Sequence, residues 1–275
     1  MKVRILTSIG IAVFGLPLLF LSEYIVYPIA VALLAAVAIF EMSALTGMRR
    51  NLPVSIPAYL LALALPIAAY FASDRVELFV SLIFALLAVY MFYLFGYAVI
   101  KRGAIRFADL SAHLVTTAYI VISFTSLSML RYIPRGVYLF SLVFVASWVC
   151  DVFAYFVGRA IGRHKLIPEV SPKKTVEGAI GGVVFTTGAF ALYGYIVTLL
   201  DGPSPNYITL LIFGLVLSIV AQFGDLIASL IKREHGIKDY GFIFPGHGGV
   251  LDRFDSIIAV APVLLMLCLF FAPFK

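Results

Sequence analysis

Charge is what this sequence has least of. Asp, Glu, Lys and Arg make up 12% of its 275 residues and hydrophobic residues 63%, whereas a soluble domain carries about 25% charged and 45–50% apolar residues. A soluble globular protein is excluded, and no polar block is long enough to fold apart from the apolar runs. Cysteine is nearly absent: Cys150 and Cys268 lie in apolar surroundings without CxxC spacing, which leaves no thiolate zinc site. His113, His164 and His235 show no HExxH spacing, so zinc chemistry is not expected. GxxxxGK[ST] and GxGxxG are missing, which removes the soluble nucleotide-binding folds. The net charge of +6 is not gathered into an exposed basic segment, so nucleic acid is not an expected partner.

What remains is a polytopic membrane chain. A bilayer core of about 30 Å takes about 20 apolar residues of helix, and backbone in lipid must satisfy its own hydrogen bonds. Nine spans follow, near 5–22, 25–45, 55–72, 77–100, 108–130, 136–158, 179–200, 206–231 and 254–273. The first is read as a membrane helix rather than a signal peptide, because no small-x-small cleavage site follows it. The fold class expected is all-α, a single membrane domain over 1–275: N-terminal spans over 1–130 and a catalytic part over 136–275. Of the 20 Lys and Arg, all but Arg75, Arg131, Arg135 and Lys275 fall at the N-terminus or in alternate loops. The positive-inside rule therefore places the N-terminus in the cytoplasm. Two cytoplasmic loops, 159–178 and 232–253, are each about 20 residues long and mix cations with Gly, Pro, Ser and His, a composition suited to a phosphate site lined by irregular backbone.

The acids sort by position. Glu41, Asp109, Asp151, Asp225, Asp252 and Asp255 all fall at the cytoplasmic ends of predicted spans, where a membrane carboxylate is by default a functional candidate. Ser218, Gln222, Asp225 and Ser229 share one helical face, as do Ser147, Asp151 and Tyr155. For Ser and Gln alone, interhelical hydrogen bonding is the plainer account; gluing helices does not require the charge of Asp225. Glu41 and Asp109 read as helix-end or interhelical partners, and Gly181-Gly182 as a close helix contact. Capping explains one of Asp252 and Asp255 at the start of the last span. It does not explain His247-Gly248-Gly249-x-x-Asp252-Arg253-x-Asp255, with its paired glycines and guanidinium.

These residues resemble the phosphatidate cytidylyltransferases, or CDP-diacylglycerol synthases. The signature reads Ser229-x-Ile231-Lys232-Arg233, four residues, then Lys238-Asp239-x-Gly241-x-x-Phe244-Pro245-x-His247-Gly248-Gly249-Val250-x-Asp252-Arg253-Phe254-Asp255. The earlier loop is similar to the family as well, in Asp151-x-x-Ala154-Tyr155-x-x-Gly158-Arg159-x-x-Gly162, Lys165-Leu166 and Ser171-Pro172-Lys173-Lys174-Thr175-x-Glu177-Gly178. The N-terminal spans match only in hydropathy.

The resemblance implies transfer of a cytidylyl group from CTP to phosphatidic acid in a bilayer, with Mg2+, alone or with a second cation, on Asp225 and Asp252. Lys232 and Arg253 join these two as catalytic candidates. The substrate-binding candidates are Asp151, Ser171, Lys173, Lys174, Thr175, Glu177, Ser229, Arg233, Lys238, Asp239, His247, Gly248, Gly249 and Asp255. For Ser171 and Thr175 a helix cap is the competing account, and for each cation the positive-inside rule. A bacterial-type plasma membrane, a cytoplasm-facing site and a homodimer complete the expectation. A CTP-dependent enzyme acting on an ether or isoprenoid lipid has the same pattern; a transporter lacks support, since no inverted repeat is visible.

Overall fold

A computed structural model describes residues 21–102 and 104–275. Eight helices among them are long and apolar enough to cross a membrane: α1 (Val26–Leu45), α2 (Leu52–Phe71), α3 (Val76–Ile100), α4 (Phe107–Tyr132), α5 (Gly136–Ile161), α6 (Val176–Leu199), α7 (Tyr207–Glu234) and α8 (Leu251–Phe270). They coincide with the second to ninth predicted spans. The first predicted span lies outside the described residues except for its end, where Leu21–Glu23 forms a 3-10 turn. Among the described residues the fold is nearly all-α, that of a polytopic integral membrane protein.

Prolines are accommodated one by one. Pro28 sits in the first turn of α1, where its missing N–H costs nothing. Pro57 lies inside α2 and leaves the Pro53 carbonyl without its i+4 donor. The Tyr93 hydroxyl of α3 donates to that carbonyl at 2.8 Å.

Two compact units divide the chain, one holding the described residues through Ile133 with Asp239–Arg253, the other Pro134–Lys238 with Phe254–Lys275. In the first, α1, α2 and α4 pack on one another. In the second, α6 lies against both α5 and α7, and glycine makes the approach possible. A Cβ on Gly181 would meet the Val157 side chain at 2.6–2.7 Å, and one on Gly182 would meet Cys150 at 3.1 Å. The predicted Gly181-Gly182 contact is thus a helix-packing contact. Within α5, a π-helical turn over Val145–Val149 separates Gly136–Phe144 from Cys150–Ile161.

The long loops are shorter and more regular than the sequence suggests. The first folds into an antiparallel hairpin, β1 (Lys165–Ile167) and β2 (Ser171–Thr175), with Lys165 opposite Thr175 and Ile167 opposite Ser171. The expectation of irregular backbone is corrected here. Three- and five-residue strands carry too few side chains for alternation to register. The second loop loses both ends to helix, since α7 runs through Glu234 and α8 starts at Leu251. Lys232 and Arg233 therefore stand in the last turn of α7, where cations complement the exposed carbonyls.

Candidate active site

In the second unit, the C-terminal half of α5 turns Asp151, Ala154, Tyr155, Gly158 and Arg159 toward a cleft of about 330 Å³. The hairpin adds Lys173, Lys174 and Thr175, α6 adds Gly178 and Ala179, and α7 adds Gln222 and Asp225. Lys174 Nζ lies 2.6 Å from Asp225 Oδ2, with the two side chains 24% and 27% exposed. One turn along α7, Ser229 Oγ donates to Asp225 Oδ1 at 3.5 Å. The predicted stripe on α7 does face inward: Ser218 is buried, and Gln222 Nε2 donates to the Ala179 carbonyl at 3.1 Å.

Two further carboxylates gather round Asp225. Asp151 and Asp255 both lie within electrostatic range of it, Asp151 also of Lys174 and Asp255 also of Lys232. Asp255 Oδ1 accepts the Ser256 N–H at 2.8 Å. Lys173 and Arg159 line the same cleft, so these carboxylates stand among several cations. No trio of His, Cys, Asp or Glu among the described residues is close enough to hold a metal ion unaided. Mg2+ does not need one, because it takes one or two carboxylates and completes its shell with water and substrate phosphate. The donor set fits that ion.

The hairpin is held in place by three devices. Thr175 caps α6, its Oγ1 accepting the Gly178 N–H at 3.2 Å, as the capping account anticipates. Gly158, Gly162 and Gly178 converge on this hydroxyl, and a Cβ on any of them would sit 2.7–2.9 Å from it. Glu177 accepts from His164 through both the backbone N–H, at 3.2 Å, and Nδ1, at 2.6 Å. Arg233 Nε donates to the Val170 carbonyl at 3.4 Å, tying the hairpin tip to α7. Ser171 pairs with Ile167 at the closed end of the hairpin.

The first unit carries the second half of the signature. Asp252 is 6% exposed, and its Oδ2 accepts from Tyr240 N at 2.7 Å and Gly249 N at 2.9 Å. Phe244 N donates to the Gly248 carbonyl at 2.9 Å and His247 N to the Phe244 carbonyl at 2.8 Å, closing a tight turn. Gly248 takes φ +86°, and a Cβ there would stand 2.6 Å from Asp252 Oδ2. The glycine pair thus admits carboxylates of the protein itself. Asp239 and Arg253 are exposed, as is Lys238 at the edge of the second unit.

Of the sequence candidates, the structure brings Asp151, Lys173, Lys174, Thr175 and Asp225 into the cleft, with Ser229, Lys232 and Asp255 beside them. Asp239, His247, Gly248, Gly249, Asp252 and Arg253 are gathered in the loop and helix start of the other unit. Glu177 and Arg233 hold the hairpin. Arg159 is a cleft cation absent from the sequence candidates. Its signal was the i, i+4, i+8 run Asp151, Tyr155, Arg159, and its Nη1 donates to the Tyr155 hydroxyl at 3.2 Å.

A model described as the cytidylyltransferase family matches residues 2–271. The chain belongs to the cytidylyltransferase family. Among its relatives, the phosphatidate cytidylyltransferase of Staphylococcus haemolyticus strain JCSC1435 is 36% identical over 271 residues, covering 97% of this chain and 98% of the relative. That of Bacillus subtilis strain 168 is 34% identical over 276 residues, 99% of each. That of Staphylococcus epidermidis strain RP62A is 37% identical over 267 residues, 97% and 98%. The similarity therefore extends through the N-terminal spans that the signature does not reach.

Proposed function

We propose that this protein transfers the cytidylyl group of CTP to phosphatidic acid, forming CDP-diacylglycerol and pyrophosphate. The observation that carries the reading is the cleft in which Lys174 pairs with the Asp225 carboxylate and Lys173 and Arg159 join the lining. Bringing two polyanions together calls for cations and little else, because the lipid phosphate is already an anionic nucleophile and needs no strong base. The phosphate oxygen of the lipid forms the new bond to the α-phosphorus, and the bond to the β,γ-pyrophosphate breaks. Lys173, Lys174 and Arg159 neutralise the triphosphate, and Lys232 and Arg253 serve the phosphates from the ends of α7 and α8. Asp225 in the second unit and Asp252 in the first would be the carboxylates for Mg2+, which would supply charge neutralisation at the transferring phosphoryl group.

An apolar groove of about 350 Å³ adjoins the cleft and shares Leu166, Ala179 and Gln222 with it. Ile180, Val183, Ile219, Phe223 and Leu226 are among its other lining residues. A lipid acceptor fits this pairing, with its phosphate in the cleft and an acyl chain along the groove. The cation-rich hairpin and helix ends fit a cytoplasm-facing site in a bacterial inner membrane, where CTP is supplied from the cytosol.

The test is transfer of label from [α-32P]CTP to phosphatidic acid by purified protein with Mg2+. Label in the lipid fraction, lost in Asp225→Asn and in Asp252→Asn protein that remains folded, is the expected result. Wild-type protein that binds CTP but labels no phosphatidic acid would mean another acceptor lipid. Failure to bind CTP would end the cytidylyl reading.

A further inference from the structure

Glu41 belongs to the last turn of α1, a span that carries no signature residue, and it is only 3% exposed. Both of its carboxylate oxygens accept backbone N–H groups of the signature loop: Val250 N donates to Oε1 and Leu251 N to Oε2, each at 2.9 Å. Among the described residues Glu41 forms no ion pair. Its charge is met by these amides and by the N-terminal end of α8, which begins at Leu251.

The loop is shaped to admit it. A Cβ on Gly241 would stand 2.6 Å from Glu41 Oε1, and one on Gly249 would overlap the carboxylate outright. The same amide run serves Asp252, whose Oδ2 takes Gly249 N and Tyr240 N. Residues 240–252 are therefore wound round two buried carboxylates, their own Asp252 and Glu41 of α1, which stands 209 residues before Val250.

We infer that Glu41 is a positioning residue for the transfer reaction. It fixes residues 249–251 so that Asp252 and Arg253 enter the first turn of α8 in the orientation the phosphates require. This rests on the reading of Asp252 and Arg253 given above. A purely structural Glu41 would set stability alone; a positioning Glu41 sets what each folded molecule does with Mg2+ and nucleotide. Glu41→Gln keeps the shape but turns an amide N–H2 toward an N–H, and Gly249→Ala drives a methyl into the carboxylate's place.

The experiment compares wild type, Glu41→Gln, Glu41→Ala, Gly249→Ala and the Glu41→Ala/Gly249→Ala double variant, with Glu77→Gln as an exposed control. Activity per folded molecule is titrated with Mg2+ and with CTP. Hydrogen exchange of the peptide spanning 240–252 is followed separately, without Mg2+ or nucleotide. Each single variant is expected to lower kcat or raise the Mg2+ requirement about 10- to 100-fold, the range seen when a partner that orients a ligand is lost. Exchange at Val250 and Leu251 should rise, and Glu77→Gln should match wild type. Because the Gly249→Ala methyl enters space vacated by Glu41→Ala, the double variant should be no worse than Glu41→Ala alone.

Wild-type kcat and Mg2+ requirement in folded Glu41→Gln protein would overturn the inference, whatever its melting temperature. If Glu41→Gln does not fold, Gly249→Ala carries the same criterion. Additive losses in the double variant would also overturn it. Wild-type protein that neither binds CTP nor transfers label would sink the cytidylyl reading instead, and unchanged exchange at 240–252 in the variants would then sink Glu41's hold on the loop by itself.

Discussion

Lys174 Nζ and Asp225 Oδ2 lie 2.6 Å apart, so the hairpin and α7 meet through an ion pair on the floor of the cleft. The pair occupies an oxygen that the proposed reaction assigns to Mg2+, and the ammonium group is also a phosphate ligand in waiting. Arrival of a metal-bound triphosphate would exchange the ammonium's carboxylate partner for phosphate oxygens. Lys174→Met should therefore act in opposite directions on two quantities. Removing the competing cation should tighten Mn2+ binding in the absence of nucleotide by about three- to tenfold, within the range for a close but partly solvated charge pair. Removing the phosphate cation should lower kcat by about 100-fold. Electron paramagnetic resonance titration with Mn2+, set beside steady-state rates, checks both. Weaker Mn2+ binding in the variant would contradict the competition.

Which of these contacts a linear pattern can carry follows from their physics. Eight spans are legible because lipid leaves helix as the only way for a 20-residue apolar run to satisfy its backbone. The inward face of α7 is legible too, since Ser218, Gln222 and Asp225 keep a helical period inside such a run. The hairpin is not: Ser171–Thr175 is polar and contains Pro172, and its pairing with Lys165–Ile167 is made by backbone. Arg159 is hidden by the positive-inside rule, which places cations at helix ends whether or not they line a cleft. The hold of Glu41 on Val250 and Leu251 is a contact across 209 residues, and no local period reports it. What the sequence does display is its imprint, since Gly241 and Gly249 are glycine where the carboxylate passes.

The glycines around Thr175 give a second prediction, one about stability. A methyl on Gly158 would press on the Thr175 hydroxyl from 2.7 Å, with Gly178 Cα in contact at 3.5 Å on its other side. Gly158→Ala should cost about 1–3 kcal/mol by overpacking. Thr175→Ala loses the α6 cap and should cost about 1 kcal/mol. The two residues share one space, so the double variant should be less than additive. Thermal unfolding in detergent measures all three, and strict additivity would mean that the contact does not limit packing there.

The groove beside the cleft makes a third prediction, on acceptor choice. Val183 lines the groove but not the cleft, so Val183→Trp should shorten the apolar channel without touching the nucleotide. The ratio of kcat/KM for dioctanoyl over dioleoyl phosphatidic acid should rise about tenfold, the order expected when a few methylenes lose their burial. The KM for CTP should stay within a factor of two. A parallel fall on both lipids with an unchanged ratio would place the chains elsewhere.

In the first unit, Pro57 and Tyr93 make a prediction that separates stability from catalysis. Pro57 takes away the N–H that would have satisfied the Pro53 carbonyl, and the Tyr93 hydroxyl restores a donor from the neighbouring helix at 2.8 Å. Inside a membrane domain such an interhelical hydrogen bond contributes about 0.6–2 kcal/mol. Tyr93→Phe should therefore lower the melting temperature by about 2–4 °C while leaving the rate of cytidylyl transfer per folded molecule unchanged. In a Pro57→Ala background the helix regains its own N–H, and Tyr93→Phe should then cost markedly less. An equal cost in both backgrounds would show that the hydroxyl stabilises α3 by something other than the orphaned carbonyl.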